Sequence, residues 1–454
     1  MSRFRAAAPG RSIDFIRRVA PALLAGLLVT GVAARAEPGP AGPDLTAGAG
    51  LPELIAYAEA HNPQLAASLQ RWRAAERRVP QAEALPDPQL GVGLVLDQVD
   101  ADPEYMGERY SLSQSLPWFG TRSLRGEVAA REAGADGRRH ETLRLALAEQ
   151  VTAAWLDYAW VHQAVETARA NRELVLRLEG VARARYRAGL GNQADVSRAQ
   201  VELGRLDDRL RSLLDALAPA AARLNALLGR PAHLRLPPPA APSLQPLEPL
   251  REQDFAAWLE RVRAANPRIG LARELIERER HAVELARKAY YPDVRLGVEY
   301  GRDTGARMAA MDGGGADMLV GMISISLPIR QGRYDAGLDE AQARFQAAGR
   351  DVRASELAVE AELQTALFEY REGERKLQLY RGTLVPRARH AFEATEAAYR
   401  AGDAGFTDLI DAQRTWLEFE LAQERAAADR GIAAARVRAL AGEPAAGPTP
   451  EEQP

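Results

Sequence analysis

Asp408 and Asp411 stand three apart, so their carboxylates fall on one face of a helix. Carboxylates so placed attract cations, and in a first helical turn they also complement the positive end of the macrodipole. Nothing around them completes a catalytic set. The six histidines, His61, His140, His162, His233, His281 and His390, stand apart, and none has the i,i+4 spacing of a zinc-binding helix. Met308, Met311, Met318 and Met322 gather thioethers that could suit Cu(I), although loop filling and packing use methionine without any ion. There is no Walker A segment, no G-x-S-x-G and no H-E-x-x-H, and Gly313-Gly314-Gly315 lacks a following Lys. The expectation is a protein that is not an enzyme and carries no metal site and no cofactor.

The elements that must position these residues are helical in the main. Hydrophobic residues make up 46% of the chain, charged residues 27% and aromatic residues only 6%, the usage of long helices and coiled coils. Residues 1–36 read as a secretory signal: Arg3, Arg5, Arg11, Arg17 and Arg18 precede an apolar run over residues 19–32, and Ala34-Arg35-Ala36 offers a cleavage site. Taking six Arg and one Asp of that segment from the chain's 59 basic and 62 acidic residues leaves a net charge near −8, which argues against nucleic acid as a partner. Cysteine is absent, so disulfides, thiolate metal sites and a lipidated cysteine are not expected. With no later stretch resembling a transmembrane helix, β-strands remain the way through a bilayer.

The chain repeats itself. His61-Asn62-Pro63-Gln64-Leu65 recurs as Ala265-Asn266-Pro267-Arg268-Ile269, and Leu85-Pro86-Asp87 as Tyr291-Pro292-Asp293. Ser113-Gln114-Ser115-Leu116-Pro117 returns as Ser324-Ile325-Ser326-Leu327-Pro328, and Tyr186-Arg187-Ala188-Gly189 as Tyr399-Arg400-Ala401-Gly402. Four ordered matches at slowly drifting offsets define two repeats, 37–229 and 251–442, joined by a Pro-rich connector at 230–250 and followed by a Pro- and Glu-rich tail at 443–454 that is expected to be disordered.

Each repeat contains a pair of period-two segments, expected as strands near 88–97 and 109–117, then 293–301 and 318–327. Leu90, Val92, Leu94 and Leu96 alternate with polar or small residues, as do Val294, Leu296, Val298 and Tyr300. About nine or ten residues is the length of a tilted membrane strand, and Tyr110, Trp118, Phe119, Tyr290, Tyr291 and Tyr300 sit where an aromatic girdle would. A soluble hairpin with one buried face is the plainer alternative. Four strands cannot close a barrel, for which about eight are needed, so a membrane reading requires several subunits. Long helical patterns follow, from Arg122 to about Arg187 and from Tyr334 to about Arg400, each about 100 Å at about 1.5 Å per residue. The returning helix carries a heptad seam in Val196, Ala199, Leu203, Leu206, Leu210, Leu213 and Leu217, and Pro219 and Pro386 are expected to kink their helices.

Together the duplicated halves, the Asn-Pro helix starts at Asn62 and Asn266, the Leu116-Pro117-Trp118-Phe119-Gly120 corner and the Tyr-Arg-Ala-Gly tips resemble the TolC-type outer-membrane efflux proteins over nearly the whole chain. The resemblance implies a mostly α protein with a transmembrane β part: a homotrimer whose 12-stranded β-barrel stands on a periplasmic α-helical coiled-coil barrel. It further implies an outer-membrane channel working with a periplasmic adaptor and an inner-membrane pump. The hairpin tips, Arg187 to Val196 and Arg400 to Ala412, would form the closed aperture and the adaptor-docking surface, through Ala188, Gly189, Leu190, Gly191, Asp195, Ala401, Gly402 and Asp403. Asp408 and Asp411 match the family's gate segment. Their counterparts in the first repeat are Asp195 and Arg198, and Arg198 is expected to pair with Asp408 or Asp411 of a neighbouring subunit. Ala404 stands where some relatives carry an Arg, so their latch is not assumed. Residues 117–122 resemble a segment of the heavy-metal efflux branch, with Phe119 and Thr121 departing from it. Metal cations of the cobalt, zinc and cadmium or copper and silver type are therefore slightly favoured as cargo. The alternatives are drug efflux, a type I protein secretion duct, or a soluble periplasmic coiled-coil adaptor.

Overall fold

The computed structural model describes residues 50–95, 107–239, 250, 254–303 and 318–443. The expected signal peptide, both strand-connecting loops with Met308 and Met311, most of the connector and nearly all of the tail lie outside these residues. The first half contains α1 (Leu51–His61), α2 (Pro63–Glu83), β1 (Gln89–Val95), β2 (Gly107–Leu116), α3 (Thr121–Arg187) and α4 (Gln193–Leu227). The second repeats that order with α5 (Phe255–Ala265), α6 (Pro267–Lys288), β3 (Val294–Asp303), β4 (Met318–Ile325), α7 (Gln331–Leu379), a π turn (Tyr380–Leu384), α8 (Val385–Ala401) and α9 (Phe406–Leu440).

The repeated Asn-Pro does the same work twice. Asn62 Oδ1 accepts from the N–H groups of Gln64 at 2.9 Å and Leu65 at 3.0 Å, while its Nδ2 donates to Leu227 O at 2.9 Å. Asn266 Oδ1 accepts from Arg268 and Ile269, and its Nδ2 donates to Leu440 O at 2.8 Å. Each therefore satisfies orphan amides at a helix start and ties that start to the end of the helix returning within the same half. Gly229 and Gly442, both at positive φ, end those returning helices against the same corners; a Cβ on Gly229 would come within 2.5 Å of His61 O.

The four strands form one antiparallel sheet in the order β1-β2-β3-β4. Direct partners share a face, so the register stacks Leu90, Leu112 and Val298 in one row and Val92, Tyr110, Tyr300 and Leu319 in the next. That face is apolar and exposed in the single chain. The other carries Gly91, Gly93, Ser111, Ser113 and Gly297, with Arg109 and Glu299 paired at 3.6 Å, and on β4 the larger Met318, Val320 and Met322. Among the described residues β1 and β4 each keep one unpaired edge.

α3 is 67 residues long, about 100 Å at about 1.5 Å per residue, and packs along α2, α4, α6 and α9. Of the heptad seam on α4, Ala199 and Leu206 are buried within the chain. The second arm is not one helix. At the π turn the Val385 N–H reaches back to Tyr380 O, so the ladder widens just ahead of Pro386, whose missing N–H and ring could not continue it. α4, by contrast, runs through Pro219 and α2 through Pro80 as continuous helices. No described helix is long and apolar enough to cross a membrane.

Candidate functional site

The two hairpin tips lie together at one end of the helical arms, over a core that includes Val175, Leu178, Leu206, Phe392, Tyr399, Phe406, Leu409 and Leu417. At the first tip α3 stops because Gly189 takes φ +74° and the Leu190 N–H turns back to Arg185 O at 2.9 Å; the Asn192 side chain then starts α4 by accepting from the Asp195 N–H at 3.0 Å. Leu190 is left 69% exposed at the apex. At the second tip Gly402 takes φ +96°, and the Asp403 N–H donates to Ala398 O at 2.8 Å. Ala188, Gly191, Asp195 and Ala401 lie on these turns or beside them, so the residues expected at the tips are brought together.

Asp408 and Asp411 are both exposed on the first turns of α9, whose other side buries Phe406, Leu409 and Ile410. Asp408 Oδ2 accepts from the Gly405 N–H at 3.2 Å, so this carboxylate caps the helix within the chain. Asp411 lies 3.4 Å from Arg414 Nη1, and Arg414 also bonds Glu202, a buried carboxylate of α4, which holds the Arg414 pKa above its ordinary value. Arg198 donates to the Thr407 hydroxyl of its own chain. The three residues singled out as a gate thus sit at one place, with Arg198 engaged one residue away from Asp408.

The tip also depends on a side chain that the motifs did not reveal. Arg185 Nη1 donates to Tyr399 O and Arg400 O, each at 2.8 Å, and its Nη2 donates to Leu190 O at 3.2 Å. Its guanidinium carbon is 5.0 Å from the Tyr399 ring centre. Tyr399 is buried against Phe406 at 5.4 Å, and burial raises its pKa. One side chain therefore binds both turns to each other. The repeat carried a signal for it, since the residue before Tyr186 is Arg185 whereas the residue before Tyr399 is Ala398.

A second polar cluster lies further up the arms between α3 and α9. Gln413, fully buried, donates to Asn171 Oδ1 at 3.1 Å, and Thr167 Oγ1 donates to Glu424 Oε1 at 2.6 Å. Burial raises the pKa of Glu420 and of Glu424, and the neighbouring Glu420 charge adds to the rise at Glu424.

Comparison with known proteins places this architecture. The family model described as "Outer membrane efflux protein" matches residues 54–230 and 258–443. The cobalt-zinc-cadmium resistance protein CzcC of Cupriavidus metallidurans is 24% identical over 365 residues, covering 80% of this chain and 83% of its own length. The pyoverdine export outer membrane protein OpmQ of Pseudomonas putida is 26% identical over 397 residues, covering 83% of this chain and 82% of its own. Among solved structures, the outer membrane protein VceC of Vibrio cholerae superposes with a TM-score of 0.71 at 20% identity, over 87% of this chain and 96% of that one.

Proposed function

The chain belongs to the outer membrane efflux protein family, and from that premise we propose that three copies form a duct that passes metal cations out of the cell. It is an outer-membrane efflux channel protein with a large periplasmic part. The observation that carries the trimer is the sheet: four strands with an apolar face, a face that is small and polar on β1 to β3, and two edges left open among the described residues, on top of arms about 100 Å long. Three such sheets supply 12 strands, enough for a barrel with lipid outside and water within. The arms of the three copies close the periplasmic tube below.

At the far end of the tube the exposed carboxylates Asp408 and Asp411 form two acidic rings that concentrate cations, with Arg198 of a neighbour facing them when the aperture is closed. The turns at Ala188 to Gly191 and Ala401 to Asp403, with Asp195, are the surface on which a periplasmic adaptor docks, and an inner-membrane pump feeds the duct through it. Cargo of the cobalt, zinc and cadmium type is supported by the acidic pair and by the likeness to the resistance protein of Cupriavidus metallidurans. The likeness to a pyoverdine exporter supports an organic cargo as the second reading.

Complementation tests both cargo and gate. A deletion strain is challenged with cobalt, zinc, cadmium, copper and silver salts beside dyes, detergents and antibiotics. Wild type restores metal tolerance, and Asp408→Asn/Asp411→Asn restores it only in part. A deletion strain that keeps its metal tolerance but loses tolerance to dyes and antibiotics moves the cargo to the second reading, and full rescue by the double variant removes the two aspartates from the conduction path. Arg198→Ala trimers in a planar bilayer leak more in the closed state; unchanged leak removes Arg198 from the gate.

A further inference from the structure

We infer that the corner where β2 runs into α3 binds the phosphate headgroup and upper acyl chain of a glycerophospholipid from the leaflet nearest the periplasm. This rests on the reading that the apolar face of the sheet meets lipid. A pocket of about 400 Å³ opens at that corner, walled by Leu85, Leu116, Trp118, Phe119, Arg122 and Val294. Leu116 and Val294 are direct partners and belong to the apolar face, so the pocket continues that face below the end of the strands. β2 and β3 are the inner strands of the sheet, which takes the pocket away from the edges where a neighbouring copy would pair. An acyl chain is the occupant consistent with an apolar recess that lies level with the membrane boundary and off the subunit seam.

Aromatic and charged groups at the rim fit the other end of such a molecule. Trp118 stacks on Tyr291, ring centres 5.3 Å apart and planes 12° from parallel, an amphipathic pair of the kind that settles at headgroup depth. Phe119 is 84% exposed beside it, a costly placement in water and a favourable one in lipid. Lys288 reaches the same rim: its Nζ is 5.5 Å from the Tyr291 ring centre and would be 3.7 Å from a Cβ built on Gly120. Arg122 spends its Nε on Glu83 O at 2.7 Å. Neither Lys288 nor Arg122 has a carboxylate within ion-pair distance among the described residues, and the nearby Asp293 Oδ1 accepts from the Trp118 N–H at 3.0 Å. Two cations on the helical side of an apolar recess at the foot of a membrane sheet match a phosphate carried on a hydrocarbon tail.

Native mass spectrometry of the detergent-extracted protein tests this, with phosphatidylglycerol, phosphatidylethanolamine, diacylglycerol and inorganic phosphate added in turn. Wild type retains the two phospholipids at collision energies that strip diacylglycerol. Arg122→Gln/Lys288→Gln weakens phospholipid retention by at least about tenfold, as expected for two juxtamembrane cations, and Phe119→Ser weakens it as well. Equal retention by the double variant, diacylglycerol held as firmly as phospholipid, or displacement of lipid by inorganic phosphate each overturns the site. Membrane fractionation of the same proteins separates this failure from a deeper one. Variants that remain outer-membrane oligomers with unchanged lipid retention sink the lipid site alone, whereas wild type missing from the outer membrane sinks the reading beneath it.

Discussion

Arg185 joins backbone carbonyls of two different hairpins, and its planar fork is what makes this possible. A guanidinium can donate to Tyr399 O, Arg400 O and Leu190 O together while lying against the Tyr399 ring, whereas an ammonium is a single point donor. Charged hydrogen bonds contribute about 1.5–3 kcal/mol each when well buried, and less where water competes. Arg185→Ala is therefore expected to speed amide exchange at residues 189–191 and 402–405 by about tenfold or more, with Arg185→Lys intermediate. Exchange that stays at the wild-type rate in both variants would show that the turns hold without the clamp. The spacing of Asp408 and Asp411 and their place after a glycine turn are written in the chain, whereas the gate role proposed for them comes from the family resemblance. For Arg185 the chain shows only a departure from the repeat, Arg185 against Ala398, and not its role, because two of its partners are backbone carbonyls 214 and 215 residues away.

The α3–α9 pair shows what can be read of an element and what packing alone decides. Alternation at Leu90, Val92, Leu296 and Val298 announced strands because a period of two has few other causes, and the strands end within a few residues of where it stops. Glu420 and Glu424, four apart in a helix rich in Arg and Glu, read equally well as a solvated face. Only the approach of α3 half-buries them, among Gln163, Thr167 and Asn171, with Arg389 of α8 acting on Glu420. Further along, Asp157–Arg425 at 2.9 Å and Glu149–Arg436 at 3.1 Å pair the same two helices. A carboxyl whose folded pKa is raised favours folding most while it is protonated, and that advantage is lost as pH rises from the ordinary carboxylate range through the folded value. Thermal unfolding of purified protein should thus show Glu424→Gln gaining on wild type as pH rises from roughly 4 to 8, with the two converging at the acidic end. A constant offset across that range would mean that Glu424 keeps its charge without cost. The π turn before Pro386 was half legible: the proline marked the place, but a kink and a widened turn relieve the same clash, and sequence does not choose between them.

At the scale of the whole molecule, the two open edges of the sheet determine how many chains are needed, and the absence of cysteine makes that number measurable. Leu90 lies on β1, while Leu319, Ile323 and Ile325 lie on β4, all on the apolar face. Within one chain β1 and β4 are separated by β2 and β3, three strand spacings of about 4.8 Å or some 14 Å in all. A disulfide spans Cα atoms no more than about 7 Å apart, so cysteines on the two strands cannot join inside a chain. Leu90→Cys is combined in turn with Leu319→Cys, Ile323→Cys and Ile325→Cys, because the register between copies is set by the stagger of the closed barrel. In outer membranes under mild oxidation, at least one pair should give covalent dimers and trimers, with the ladder ending at three. The ending matters more than the bonds: isologous pairing of edges would stop at two, and an open sheet would continue upward, whereas a closed ring of 12 strands stops at three. Monomers alone from all three pairs, or a ladder running past three, would overturn the trimeric barrel and leave the apolar face of this sheet without its membrane.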